Sequence, residues 1–468
     1  MRLTYCLTFL FIALTASLAP AAEPRPNLMI IIADDLNWRD LGFTGNAEVH
    51  TPNLDRLARE GMQLEGMFTP APTCSPCRHA LYTGLFPIRS GAYPNHTMVD
   101  RTTKSLFTHL KANGYRVGLQ GKTHISPPAS FPYENIGGNA DDSAAFAKCI
   151  TRDAEQPWFA VFASHDPHSP WNRGPRERYE PAKLTVPPWL HDNAETRADL
   201  AAYYAEITQL DTQVGERLAA IEKAGQTENT LVLFLSEQGS SFPYGGKWSL
   251  YDTGIRVASI ARWPAKIAAG SKSGALVQYV DVAPTFLAAA GVDPAKIDTG
   301  CPDADGKSGF DGQSFLEVLT GKADSLREYV FAQHTTVGVN GYKEPYPSRA
   351  VRDGRYKLIR NLAPENRFWI GGIHGSAVLR TWERDAADDP KLAERIAWLE
   401  RRPAEELYDL ETDPLEQHNL AGRSEFAEIQ TRLGKELDAW MRQQGDEGLA
   451  TEIRAKTRQP RARRAERG

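Results

Sequence analysis

The chain has 468 residues, of which 41% are hydrophobic and 24% charged, a composition typical of a globular protein with a large core. This length fits about three ordinary domains, or one large α/β domain with a smaller addition. The formal net charge of −5 argues against nucleic acid as the main partner, because proteins that bind nucleic acid usually carry excess basic residues.

The first 22 residues have the pattern of a cleavable export signal. Arg2 precedes a short apolar run, and the Ala19–Ala21 segment supplies small residues for cleavage. The alternative, a membrane anchor, is disfavoured because the run is shorter than the roughly 20 residues that span a bilayer. We therefore predict that residues 1–22 are removed, and that the mature protein is secreted or periplasmic, without stable membrane insertion.

Five apolar segments predict buried strands of one sheet. In chain order they are NLMIIIADD (27–35), YRVGLQGKTH (115–124), WFAVFASHDPH (158–168), TLVLFLSEQG (230–239) and VASIARWP (257–264). Helical patterns lie between them, for example from Thr51 to Gly61 and over 196–223. Such alternation is typical of a mostly parallel sheet covered by helices on both faces.

From about residue 325 the pattern changes to short segments typical of antiparallel strands. These segments are REYVFAQHTT, SRAVRDGRYKLIRNL and EELYDLETDPLEQHNL, and EFAEIQTRLGKELDAWMRQ follows as a closing helix. We therefore predict a main α/β domain over 23–325 and a smaller C-terminal α+β subdomain with an antiparallel sheet over 326–445. The basic composition of 446–468 predicts a solvated, disordered tail.

Polar side chains follow four of the predicted strands. They are Asp34 and Asp35, Lys122 and His124, His165 and His168, and Glu237 and Gln238. In open α/β sheets, sites form at the carboxyl ends of the strands, so these groups predict one shared site. The paired aspartates are oxygen ligands that suit a hard cation.

The segment PTCSPCRHALYTG (72–84) contains a Cys-x-x-Cys pair, Cys74 and Cys77, and three interpretations are open. A redox pair fits a helix start, but it does not need the carboxylates, lysines and histidines at the strand ends. A structural zinc site needs two more Cys or His ligands, and Cys149 and Cys301 have no such neighbours. In the third interpretation only Cys74 carries chemistry.

The third interpretation rests on a resemblance. Cys74-x-Pro76-x-Arg78 followed by Thr83-Gly84 resembles the type I sulfatase signature C-x-P-x-R-x-x-x-x-T-G, whose cysteine is oxidised to formylglycine during export. Further segments are similar to sulfatase blocks in family order: ADDLNWRDLGFTGN, TPNLDRLAREG, GYRVGLQGKTH, HDPHSP, GGKWSLYDTGIR and LYDLETDPLEQHNL. Within the family, GKTH, FASHDPH and FAQHTTVGVNGYKEPYPSRAVRDGRYKLIRNL look most similar to the N-sulfoglucosamine sulfohydrolase (heparan N-sulfatase) branch.

The resemblance implies an alkaline-phosphatase-like α/β/α sandwich and an enzyme that hydrolyses sulfate esters or sulfamates of sulfated saccharides. It also implies a formylglycine made from Cys74 by a formylglycine-generating maturation enzyme, and one divalent cation per chain. The implied metal ligands are Asp34, Asp35, residue 74, Glu237 and Gln238. The family usually has Asp followed by Asn or His at the last two positions. Because Ca²⁺ tolerates irregular oxygen ligands better than Mg²⁺, we expect calcium.

The resemblance further implies roles for five catalytic side chains. Arg78 holds the hydrated aldehyde, while Lys122 and Lys247 contact sulfate oxygens. His168 protonates the leaving oxygen or nitrogen, which suits a residue type that exchanges protons near neutral pH. His124 orients the nucleophile or assists breakdown of the sulfated intermediate. One hydroxyl of the aldehyde hydrate attacks sulfur in this cycle, and the second expels sulfate.

Substrate recognition is expected from loops at the rim of the pocket, where specificity commonly resides. We predict contacts from His334 and Arg349, and from His374 in the glycine-rich GGIHGS segment. His165 is interpreted as structural and Arg256 as a buried ion-pairing residue. N-sulfated glucosamine is the substrate of the similar branch, and an O-sulfated sugar is an open alternative because GGKWSLYDTGIR resembles the general O-sulfatase pattern.

Two other functions remain as alternatives. Some phosphodiesterases and phosphonate monoester hydrolases of the same superfamily share the formylglycine signature. The second alternative is an inactive glycan-binding homologue whose metal site is damaged at Glu237 and Gln238.

Overall fold

The computed structural model describes residues 25–137 and 140–459. The predicted export signal over 1–22 and residues 460–468 of the predicted tail lie outside the described residues. Within the part of the chain that is described, no helix is long and apolar enough to cross a membrane.

An eight-stranded, mostly parallel sheet lies at the centre of the molecule. The strands of the described chain are β1 (Asn27–Ala33), β2 (Met62–Leu64), β3 (Met67–Phe68), β4 (Arg116–Gly121), β5 (Glu134–Asn135), β6 (Trp158–Ala163), β7 (Thr230–Ser236), β8 (Ser259–Arg262), β9 (Ser271–Ser273), β10 (Val277–Gln278), β11 (Val330–His334), β12 (Ser348–Arg352), β13 (Tyr356–Asn361) and β14 (Glu405–Asp409). The large sheet has the order β5-β4-β6-β1-β7-β8-β2-β9. β1 pairs in parallel with β6 and β7, and β8 runs antiparallel to β7 and β2.

Helices cover both faces of this sheet, as predicted. The helices of the described chain are α1 (Pro52–Glu60), α2 (Cys74–Thr83), α3 (Pro87–Ser90), α4 (Leu106–Ala112), α5 (Ser143–Thr151), α6 (Ala194–Lys223), α7 (Asp252–Ile255), α8 (Val282–Ala289), α9 (Leu316–Leu319), α10 (Gly371–His374), α11 (Ala377–Asp385), α12 (Pro390–Glu400), α13 (Ala427–Gln443) and α14 (Leu449–Arg454). Met29 and Ile31 of β1 lie in one core cluster with α1, α5 and α6. Leu28, Ile30 and Ile32 lie in a second with α2, α4 and α8. The α/β/α sandwich is therefore confirmed.

The register of the parallel strands brings their carboxyl ends to one level. Ala33 at the end of β1 lies opposite Ser236 at the end of β7. Ala163 at the end of β6 pairs with Ile32 on one side and with Gly121 on the other. The polar residues that follow these four strands consequently emerge together at one edge of the sheet.

The C-terminal antiparallel sheet is confirmed, with the order β11-β12-β13-β14 and α13 packed against it. The segment between β13 and β14 was not predicted to be helical. It contains α11 and α12, which pack with α6 in the core of the main domain. The indole Nε1 of Trp382 donates a hydrogen bond of 2.8 Å to Thr196 Oγ1 of α6. This segment of the predicted subdomain thus extends the main core.

The structure differs from the predicted solvated tail over residues 446–459. These residues form α14 and a 3-10 turn over Ala455–Arg458, and Glu452 and Ala455 are buried. Arg458 donates to the Gly91 carbonyl oxygen at 3.0 Å and to Asp100 at 2.8 Å. The composition was misleading here because this basic side chain pairs with groups of the main domain instead of with water.

Gly84 ends α2 and gives a direct test of this packing. Its φ is +70°, and a methyl group there would lie 2.5 Å from Phe310 Cδ1. We expect Gly84→Ala to lose about 1–2 kcal/mol from the left-handed backbone and about 1–3 kcal/mol more from overpacking, measured by urea unfolding. Gly291→Ala is the matched control, since its φ is +79° but nothing lies within 4 Å. Equal losses in the two variants would contradict the packing argument.

Candidate active site

Helix α2 begins at Cys74 and places this residue at the edge where the strands end. The Cys74 Sγ atom lies 3.9 Å from Asp34 Oδ1 and 3.7 Å from Gln238 Nε2. Every residue of α2 is buried. The first amide groups of a helix carry partial positive charge, so the start of α2 contributes a favourable interaction with a negative oxygen at residue 74.

The thiol of Cys74 is not a ready nucleophile. Burial, with a further contribution from Glu237, raises the pKa of Cys74 to about 12, so the thiol is protonated at neutral pH. Each described cysteine is a free thiol, and Cys77 Sγ donates to the Glu237 carbonyl oxygen at 3.3 Å. These features do not fit a redox pair, which needs a disulfide and a reactive thiolate.

Three carboxylates and three cations alternate around Cys74. Each pair is joined at 2.5 Å: Arg78 Nε with Glu237 Oε1, Lys122 Nζ with Asp34 Oδ2, and Lys247 Nζ with Asp35 Oδ2. The formal charges of the six groups cancel. Because an unpaired charge in a protein interior is strongly destabilising, this balance is what permits their burial.

The pairing also fixes protonation. Burial by itself would raise the pKa of Asp34, but Lys122, a hydrogen bond with Glu237 and Arg78 together outweigh it, and the net pKa lies well below the usual range. Burial would lower the pKa of Lys122 and of Lys247, yet Asp34 and Asp35 respectively hold both values above the usual range. Asp34 and both lysines therefore keep their charges across the neutral pH range.

The cluster has the donors of a hard-cation site. Asp34, Asp35, Cys74 and Glu237 each offer one ligand atom, and these atoms lie within 4.8 Å of one another. Gln238 Nε2 donates to Asp35 Oδ1 at 2.6 Å, while Gln238 Oε1 is buried without a hydrogen-bond partner in the described chain. A flip of this amide would present the orphaned oxygen as a further ligand. The oxygen-rich donor set fits a divalent cation such as Ca²⁺.

His168 presents one ring nitrogen to this cluster. Its Nε2 lies 3.2 Å from Lys247 Nζ and 3.5 Å from Asp35 Oδ2. Its Nδ1 lies 2.6 Å from the Ser169 carbonyl oxygen, which can only accept, so we place a hydrogen on Nδ1. The side chain is 39% exposed, so a molecule that enters from solvent can reach Nε2.

His124 contacts a second histidine that the sequence did not predict. His124 Nε2 lies 2.9 Å from His96 Nδ1. Burial, with Lys122 second, lowers the pKa of His124 to about 3, so its ring is neutral at neutral pH. His96 is exposed and follows no predicted strand, so no sequence signal marked it. His165 is also exposed, which does not fit the structural role predicted for it.

The three predicted substrate-binding side chains are buried. Arg349 is fully buried and pairs with Asp446, with Nε 2.5 Å from Oδ2. It also donates to the His334 carbonyl oxygen, and His334 is only 2% exposed. The buried His374 ring stacks on Trp369 with centroids 4.4 Å apart. The structure thus differs from the prediction, because all three side chains are buried and do not face solvent.

Arg256 also differs from its predicted role. It was expected to form a buried ion pair, but its guanidinium donates to the Glu65 carbonyl oxygen at 2.7 and 3.0 Å and lies 3.9 Å from the ring centroid of Trp38. The side chain fixes the loop before β3 through neutral acceptors.

Comparison with known proteins decides the family. Residues 26–139 and 127–292 match the sequence model of the family described as Sulfatase. An ulvan-active sulfatase of Formosa agariphila is 33% identical, over 91% of this chain and 82% of that protein. The chain belongs to the sulfatase family. It is therefore an enzyme, a sulfuric ester hydrolase, and the predicted family is confirmed.

Three further similarities concern the branch and the fold of this sulfatase. Residues 242–370 match a model described as N-sulphoglucosamine sulphohydrolase, C-terminal. Human N-sulphoglucosamine sulphohydrolase is 28% identical, over 90% of each chain. A protein solved in complex with its substrate D-glucosamine-2-N,6-O-disulfate has 21% identity and a TM-score of 0.67, over 90% of this chain and 99% of that one. That structural similarity confirms the fold.

The ligand role of Glu237 can be tested by metal binding. Glu237→Gln keeps the size of the side chain but removes the charge that pairs with Arg78. Since changes behind the ligands already cost 10–100-fold in metal affinity, we expect at least about tenfold weaker Ca²⁺ binding, measured by calorimetry after chelation and dialysis. Glu134→Gln, which alters an exposed pair with Arg152, serves as the control and should leave Ca²⁺ affinity unchanged. Unchanged affinity in Glu237→Gln would contradict the assignment.

Proposed function

We propose that this protein is an exported sulfatase of sulfated carbohydrates that uses one bound divalent cation, calcium, and a formylglycine made from Cys74. The observation that carries the proposal is the balanced cluster of three carboxylates and three cations around residue 74. A sulfate group is anionic, and a site that cleaves it must neutralise that charge while the bond to sulfur breaks. The export-signal pattern over 1–22 supports a secreted or periplasmic location.

The cluster would bind an anion once a divalent metal ion occupies it. Asp34, Asp35, Glu237 and Gln238 would hold the ion together with residue 74. When bound, the ion supplies positive charge that polarises the sulfate and stabilises negative oxygen. The carboxylates would then be neutralised by the ion, so the charges of Lys122 and Lys247 become available to sulfate oxygens. The formal charge of the site would rise from zero to two positive.

The environment of residue 74 supports its conversion. Formylglycine, as its hydrate, supplies an oxygen nucleophile of the kind that a protonated thiol cannot supply. Arg78 interacts electrostatically with Cys74, and its Nη2 is buried without a hydrogen-bond partner in the described chain. This donor is available to an oxygen at residue 74. Glu237 holds the guanidinium in place through Nε.

His168 is placed to move the proton of the leaving group. Its Nδ1 hydrogen is held by the Ser169 carbonyl oxygen, which directs Nε2 to the cluster. When Nε2 is protonated, it donates to the departing oxygen or nitrogen, and Asp35 at 3.5 Å stabilises the charged ring. His124, neutral and held by His96, orients groups near residue 74 without adding charge.

The relatives support a sulfated carbohydrate as substrate. One is described as ulvan-active and another as an N-sulphoglucosamine sulphohydrolase, so both O-sulfated and N-sulfated sugars are candidates. Sulfate release from a panel of sulfated mono-, di- and polysaccharides, with a phosphonate monoester and a phosphodiester included, tests the proposal. Turnover of only the phosphorus compounds would favour the hydrolase alternative. Saccharide binding without turnover would favour an inactive homologue.

Maturation of Cys74 is directly measurable. After coexpression with a formylglycine-generating enzyme, we expect the peptide containing Cys74 to lose about 18 Da, the difference between cysteine and formylglycine. Cys74→Ala should abolish sulfate release. Cys77→Ser, the matched control, should keep most activity because serine is similar in size and its hydroxyl can donate to the Glu237 carbonyl oxygen, as the thiol does. An active preparation with unmodified Cys74 would overturn the mechanism.

The acid role of His168 predicts a dependence on the leaving group. We expect His168→Ala to lower kcat about 10²–10⁴-fold for a sulfated sugar, whose alkoxide leaves poorly, and much less for 4-nitrophenyl sulfate. His165→Ala, a change in the same HDPH motif, should alter both rates by only a few fold. Steady-state kinetics on the two substrates make the comparison. Equal losses of His168→Ala on both would show that His168 does not donate the proton.

A further inference from the structure

A second cavity lies next to the active site and shares the segment 244–253 with it. The cavity has a volume of about 690 Å³, within the 300–1,000 Å³ range of ligand sites. Lys247 of the shared segment pairs with Asp35 in the metal cluster, while Tyr244 and Tyr251 line the cavity. Lys247 is three positions after Tyr244, so their Cα atoms are at most about 11 Å apart.

One wall of the cavity is the outer face of α12. Lys391, Arg395 and Trp398 are spaced by four and three residues, so they lie on one side of the helix and line the cavity. The adjacent side of the helix is buried in the main core through Leu392, Ile396 and Leu399. The orientation of the lining face is therefore fixed by packing.

Aromatic rings form much of the remaining surface. Trp189, Tyr244, Tyr251 and Trp398 all line the cavity. The indole Nε1 of Trp398 donates to Tyr251 OH at 3.3 Å, and the guanidinium of Arg395 lies 4.6 Å from the ring centroid of Tyr244. Aromatic rings next to hydrogen-bonding side chains match a pyranose, whose C–H face packs on rings while its hydroxyls pair with polar groups.

The charges that line the cavity favour an anionic saccharide. Lys391 is exposed, and Arg395 is partly exposed while its guanidinium donates to the Pro188 and Trp189 carbonyl oxygens, so both positive charges lie at the cavity surface. Glu416 also lines the cavity, but it is buried and neutralised by Lys357 Nζ at 2.8 Å. Glu394 is the remaining acidic group of the lining, so the exposed cations outnumber it.

We propose that this cavity is a second saccharide-binding site that holds a neighbouring segment of the same sulfated polysaccharide. The inference rests on the proposed function for the identity of the polymer. A chain bound in the cavity stays close to the metal cluster, which raises the effective concentration of its sulfate groups there. Small substrates, which cannot reach both sites, gain nothing from the cavity.

The test uses heparin and ulvan as probes, each with its desulfated form. In a Cys74→Ala background, which prevents turnover, we expect Trp398→Ala and Lys391→Gln each to weaken binding of at least one sulfated polymer about tenfold, measured by calorimetry. Lys322→Gln, an exposed lysine elsewhere on the surface, is the control and should change nothing. In the matured enzyme, the same two changes should raise KM for that polymer and leave kinetics on 4-nitrophenyl sulfate unchanged.

Unchanged polymer binding in both variants, with melting temperatures like the parent, would overturn the proposal. Lys391 is exposed, so Lys391→Gln remains informative even if Trp398→Ala does not fold. If Lys391→Gln weakened the binding of sulfated and desulfated polymers equally, the proposal that the ligand is anionic would be overturned. A parent that releases no sulfate, but binds polymer in a Trp398-dependent way, would contradict the proposed function and keep the second site.

Discussion

The balance of buried charge around Cys74 is the constraint on which the rest of this structure depends. Its three acidic side chains, Asp34, Asp35 and Glu237, have almost no exposed surface, and a lone carboxylate there would cost several kcal/mol. Each is matched by a cation that arrives from another part of the chain. The register of the parallel strands, the start of α2 and the segment that carries Lys247 must therefore all be correct together.

The same balance explains how one site can be stable and still bind an anion. Without an ion, the three carboxylates neutralise the arginine and the two lysines. When a divalent cation binds, the same carboxylates also neutralise that ion. The site then carries excess positive charge, which attracts an anion beside residue 74. The family usually has Asp followed by Asn or His where this chain has Glu237 and Gln238. The charge balance is preserved, because one carboxylate and one amide oxygen remain at the end of β7.

Much of the fold and the cluster was predictable because the information is local. Buried strands read as continuous apolar runs, and the residues directly after them, such as Asp34 and Lys122, must lie at the carboxyl edge of a parallel sheet. His96 was missed because only the tertiary fold brings it to His124. Arg349 was misassigned because sequence does not show that a charged residue has a buried partner. The cavity beside α12 is assembled from four separate segments, so no single motif marks it.

A crystal structure of the matured protein at saturating Ca²⁺ is the most direct test of the central claim. The account predicts formylglycine at residue 74 and one cation with oxygen ligands at about 2.3–2.6 Å. Those ligands are expected from Asp34, Asp35, Glu237 and Gln238 Oε1. A cation bound elsewhere, or an empty cluster in which the lysine–aspartate pairs persist at saturating Ca²⁺, would contradict it.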